Sequence, residues 1–196
     1  MYFLPLLAFA GIATGAGTRP RLDAVHPDTT CPHRNVPIES RKSPLDSLTF
    51  ILGDQPVKVC YGRPSSRGRV MLGGASIPYG KLWRTGANEP TIFFAPVPLT
   101  VAGLRVQPGV YSLYTVPGPS EWEIIVNRST AQWGKEDQYT DKIKAQELGR
   151  ARVKSETVNQ PLETFTIRAE PAGDKAARLV LEWEKARVRI PIQASK

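Results

Sequence analysis

From Leu48 onward, apolar residues recur at every second position in short runs cut off by turn residues, and no other pattern in the chain constrains its fold as strongly. Successive side chains of a strand point to opposite faces, so a period of two buries one face and leaves the other to solvent. Ile92 and Phe94 share such a face, as do Trp122, Ile124 and Val126, then Phe165 and Ile167, then Leu179, Leu181 and Trp183, then Val188, Ile190 and Ile192. Turn signals fall between the runs at Ala102-Gly103, Pro108-Gly109, Pro117-Gly118-Pro119 and Ala172-Gly173-Asp174. Many short strands bury their apolar faces only by packing as two layers, so the expected fold class is all-β, an antiparallel β-sandwich. Residues 135–148, with Ile143 and Leu148 as apolar marks, are the one segment suited to a short helix. In the run holding Tyr111, Leu113 and Tyr114, the two tyrosines take opposite faces, which predicts one in the core and one in water.

The chain divides into three parts. Residues 1–16 read as a signal peptide: 2–16 are apolar and uncharged, too short for a comfortable membrane span, and rich in small residues at Ala10, Ala13 and Ala16. No Lys or Arg precedes that run and Pro5 interrupts it, which leaves an uncleaved anchor as the alternative. Residues 17–47 carry Pro20, Pro27, Pro32, Pro37 and Pro44 without helical or strand periodicity, so they read as an extended arm. Residues 48–196 form the single sandwich domain. A secreted or periplasmic location follows from the signal, with no transmembrane helix once it is removed.

The net charge of +8 lies wholly after residue 16 and favours acidic surfaces such as anionic polysaccharide or lipid head groups. Nucleic acid is set aside because the chain reads as exported. The positive charge is concentrated in residues 61–89, where Arg63, Arg67, Arg69, Lys81 and Arg84 precede the first acid, Glu89. Cations at this density need internal partners, solvent or an anionic ligand.

Several stretches of this domain resemble one bacterial family, domain of unknown function 2911: GRPSSRGRVMLGG, PYGKLWRTGANEPT, VAGLRVQPGVYSLYTVPGPSEWEIIVN, LETFTI and the closing LEWEKARVRIPI. The resemblance covers residues 47–192, and its most specific element is Trp83-Arg84-Thr85-Gly86-Ala87-Asn88-Glu89. It implies a secreted or periplasmic β-rich domain with no established activity.

The candidate chemistry is sparse. His26 and His33 both lie in the arm, which argues against a Ser-His-Asp or Cys-His site in the domain. Paired carboxylates, Glu89 with Glu121 or Glu123, are the remaining hydrolytic arrangement. Residues 74–82 imitate a phosphate loop but have the wrong glycine spacing, lack an amide at Pro78 and place Leu82 where a hydroxyl is needed, so no cofactor is expected. Cys31 and Cys60 form a disulfide in an oxidising compartment; the alternative uses His26, Cys31, His33 and Cys60 as metal ligands.

The candidate ligand site is the loop from Tyr79 to Glu89. Tyr79 and Trp83 supply aromatic surface, Lys81, Arg84, Asn88 and Glu89 supply polar groups, and Arg67 and Arg69, on one side of a strand by period two, form a basic rim. In the alternative, Arg84 is a structural clasp whose donors satisfy loop carbonyls and Glu89. The function expected is therefore a non-catalytic binding or envelope-associated module for a glycan or other anionic or polar ligand. A hydrolase using Glu89 and a partner-binding structural domain are the alternatives.

Overall fold

The computed structural model describes residues 30–33 and 36–195; the segment read as a signal peptide and His26 lie outside them. Nine antiparallel strands make one continuous sheet in the order β1-β2-β3-β6-β7-β8-β9-β4-β5. They are β1 Leu45–Leu52, β2 Gln55–Gly62, β3 Thr91–Ala95, β4 Leu99–Val101, β5 Leu104–Val106, β6 Gly109–Val116, β7 Glu121–Asn127, β8 Glu147–Gly173 and β9 Ala176–Ala194. Ala102-Gly103 and Pro117-Gly118-Pro119 fall between two of these strands, whereas Pro108-Gly109 and Ala172-Gly173-Asp174 straddle strand ends, with Gly109 opening β6 and Gly173 closing β8.

The sheet becomes a sandwich because β8 serves both layers. Its first residues, Glu147 to Lys154, pair with β7, whereas residues from Ser155 to Gly173 pair with β9, with register breaks after Thr157, Leu162 and Pro171. β9 then pairs through Ile192 to Ala194 with β4. The layers meet at a cluster of Tyr61, Trp83, Trp122, Phe165 and Trp183. Tyr61 stands edge-on to Phe165 at 5.7 Å, and its hydroxyl accepts the Ile167 amide at 3.1 Å. Burial pushes the Tyr61 phenol up to about 12.

The first layer is covered on its outer side as well, which the alternation did not predict. Ile92 and Phe94 do share a face, but it is the outer one: with Cys60 they form a small separate cluster against Cys31 of the arm. The Cys31–Cys60 disulfide, with Cα atoms 5.6 Å apart, fastens the arm there and takes both thiols away from any metal site. Further along, residues 128–146 lie over β6 and β7. This segment contains the short helix α1, Asp141–Lys144, inside the window read from the sequence.

That second cover is held by polar bonds. Ser112 donates to the Ser129 carbonyl at 2.7 Å, and Asn127 donates to the Ile143 carbonyl at 2.8 Å and the Tyr139 hydroxyl at 3.0 Å. Tyr114 stacks edge-on against Tyr139 at 4.7 Å. The division of the tyrosines into core and solvent therefore fails. Tyr111 faces the core and Tyr114 the opposite side, but both are buried, because a third layer shields Tyr114 from water. Burial pushes the Tyr114 phenol up to about 12.

Candidate functional site

The motif at residues 83–89 is built against β6 as a short bridge. The Trp83 amide donates to the Thr115 carbonyl at 2.7 Å and the Thr115 amide returns a bond at 2.9 Å. This drives the Trp83 indole into the aromatic cluster, stacked on Trp183 with centroids 5.9 Å apart. Its Nε1 donates to the Gly86 carbonyl at 3.1 Å. The chain then makes a tight reversal in which Thr85 (φ 57°) and Asn88 (φ 66°) adopt left-handed conformations. A β-branched residue is disfavoured there. Thr85 is held in place by its hydroxyl bond to Thr115 at 3.1 Å and by Thr91, whose hydroxyl donates to the Thr85 carbonyl at 2.6 Å.

Two guanidinium–carboxylate forks flank this reversal, and neither joins Arg84 to Glu89. Glu89 is gripped by Arg41 of the arm, Nη1 to Oε2 and Nη2 to Oε1, both at 2.7 Å. Arg41 also donates through Nε and Nη2 to the Val36 carbonyl, so a turn of the arm closes around its own side chain. Arg84 instead meets Glu136, from the layer over β6 and β7, through Nε at 3.1 Å and Nη2 at 3.0 Å, while Nη1 donates to the Asn88 carbonyl at 3.2 Å. The same layer passes so close that a Cβ on Gly134 would lie 2.4 Å from the Asn88 oxygen and 2.7 Å from the Arg84 Cδ. Only glycine fits that crossing.

Beside Arg84 lies a cleft of about 240 Å³ whose lining includes Arg69, Trp83, Arg84, Asn88, Glu136 and Trp183. Arg69 donates to the backbone carbonyls of Ser66 and Ser65 at 2.9 and 3.3 Å. Among the described residues no carboxylate pairs with it. The cleft therefore has a closed aromatic floor, one matched ion pair and one cation whose charge no described carboxylate neutralises.

The residues singled out in the sequence are thus dispersed. Arg69, Trp83, Arg84 and Asn88 line the cleft, whereas Glu89 is buried in its fork with Arg41. Tyr79 lines two depressions on the other side of its loop, and Lys81 is exposed outside the cleft. Arg67 and Arg69 do not sit on a strand. They belong to a loop in which Arg67 has a φ of 53° and donates to the Lys42 carbonyl at 2.7 Å, so period two does not apply to them. Asn88 also ties the reversal to the arm, donating to the Ser43 carbonyl at 3.1 Å.

Arg41, Glu136 and Trp183 are site residues that the motif did not reveal. Trp183 was legible only as core alternation, and nothing local marks the other two, because their partners lie 48 and 52 residues away in the chain.

For general acid–base chemistry Glu89 is badly placed: it is 5 % exposed and both its oxygens are held by one guanidinium. Glu121 and Glu123 line a depression with Tyr79 and pair with Arg152 and Arg150. Among the described residues no group of three or more His, Cys, Asp and Glu side chains is arranged to hold a metal ion. Among them also, no helix is long and apolar enough to cross a membrane.

The chain belongs to the family described as Protein of unknown function (DUF2911), which matches residues 43–192. That span begins in the arm beside Arg41 and ends in β9. No curated protein and no solved structure matches the chain.

Proposed function

We propose that this member of the family is an exported, non-catalytic binding module, and that its ligand is a small anionic or polar group, such as an acidic saccharide, held in the cleft beside Arg84. The observation that carries this reading is Arg69: a guanidinium at the cleft that, among the described residues, is bonded only to neutral carbonyl oxygens. A cation already oriented by backbone acceptors keeps donors for an incoming carboxylate or sulfate. The Trp83 and Trp183 indoles, 3 % and 1 % exposed, close the floor of the cleft. Asn88 and the Arg84–Glu136 pair give the wall its polar groups. Export is supported by the apolar first residues of the sequence and by the disulfide, which persists in oxidising compartments.

The test is binding to an array of acidic and neutral oligosaccharides. Acidic members are expected to bind, more weakly as salt is raised, and Arg69→Gln should reduce that binding about tenfold while the melting temperature stays put. Acidic binding that survives Arg69→Gln unchanged, or none at all, overturns the reading. A structural role is the second reading, favoured by the saturation of Arg84: three of its nitrogens are already engaged, and its partner Glu136 anchors the outer layer.

A further inference from the structure

On the far side of the loop at residues 70–80, an aromatic ring stands in solvent and is nevertheless fixed. Tyr79 is 45 % exposed, the one aromatic among the exposed large apolar side chains of the described residues. Its ring lies against the backbone of Gly73, where a Cβ would sit 2.5 Å from the Tyr79 Cε2; Gly73 has a φ of 77°, so the position favours glycine on both counts.

The loop beneath is braced at each end. The Gly73 amide donates to the Ile77 carbonyl at 2.9 Å, the Gly80 amide to the Pro117 carbonyl at 2.8 Å, and the Glu184 carboxylate accepts the Met71 and Leu72 amides at 2.9 and 2.8 Å. A ring held this way needs little further ordering when a ligand stacks on it.

Depressions of about 280 and 330 Å³ adjoin the ring. The first presents Val70, Ser155, Thr157 and Lys185; the second presents Pro117, Pro119, Glu121 and Arg152. Charge here is balanced, in contrast to the cleft beside Arg69. The carboxylates of Glu121, Glu123, Glu156 and Glu184 are offset by Arg152 and Lys185 in the groove and by Arg150 and Arg189 at its edge. Such a groove has no net field to select an ion, but it keeps hydroxyls and carboxylate lone pairs that suit the hydroxyl groups of a neutral ligand. A flat aromatic face beside such groups matches a pyranose ring, whose axial C–H bonds form an apolar face and whose hydroxyls point outward.

We propose that the Tyr79 groove is a second binding site, taking an uncharged pyranose oligosaccharide with one sugar ring stacked on Tyr79. It is independent of the anion-binding reading of the cleft. Calorimetric titration of the full chain with cellohexaose, chitohexaose and maltohexaose is the test. At least one should bind, equally well at about 0.05 and 0.5 M salt.

Tyr79→Ala should weaken that binding about tenfold, Tyr79→Phe should retain it, and Arg69→Gln should leave it unchanged. Thr157→Arg, which fills the groove from β8, provides a second block if the Tyr79 variant is poorly folded. Failure of all three sugars to bind overturns the proposal. So does binding that resists both Tyr79→Ala and Thr157→Arg, or binding lost in Arg69→Gln.

Discussion

The two forks on either side of the reversal are chemically alike and physically different. Arg41 and Glu89 have side chains 0 % and 7 % exposed, whereas those of Arg84 and Glu136 are 20 % and 36 % exposed. Removing one partner from an enclosed pair takes charge-assisted hydrogen bonds from the other where water cannot replace them, while a half-open pair recovers much of its solvation. The first fork therefore acts as the bolt that fixes the arm to the domain, and the second as a wall of the cleft. Identical pairs of functional groups anchored on one motif are separated into structural and exposed roles by burial alone.

The most severe way to break this comparison is Arg41→Ala, which takes from Glu89 the two bonds at 2.7 Å. A loss of about 3–5 kcal/mol is expected, measured by denaturant unfolding. A midpoint unchanged from the parent protein would show that the arm is not bolted in this way.

A pH series sharpens the contrast between enclosed and open groups. Tyr61 and Tyr114 have phenols pushed up to about 12 by burial, against 10.0 for a free tyrosine. Since the folded values are raised, the stability they contribute is whole below pH 10 and drains away as pH rises towards 12. Each should forfeit about 2–3 kcal/mol across that interval. Unfolding free energies that stay level from pH 9.5 to about 12 would mean that the layer over Tyr114 does not exclude water.

The smallest effect belongs to Arg84→Ala. With its pair half-open, the loss should be about 1 kcal/mol, well below that of Arg41→Ala. If the two substitutions destabilise the protein equally, burial does not distinguish the forks and the cleft wall is itself a brace.

Much of the fold was legible because strand periodicity and turn chemistry are local. The runs around Trp122, Phe165, Leu179 and Val188 are strands, the Pro-Gly and Ala-Gly pairs fall between strands or at their ends, and the helix lies where Ile143 marked it. The cysteine pair was legible from its count and the expected compartment. The reading of Arg67 and Arg69 failed because period two was applied to a loop, and that of Tyr114 failed because alternation describes two faces without saying whether anything covers the second.

What the amino-acid sequence determined by itself is therefore the set of strands, their turns and the faces along each one, since these depend on residues two to four positions apart. Only the tertiary structure decided that β8 joins both layers, that the arm and residues 128–146 cover the outer face, and that Arg84 meets Glu136 while Glu89 meets Arg41. Those choices rest on chain segments separated by 48 residues or more at the forks, where desolvation and geometry select among several acids and bases that are equivalent in the sequence.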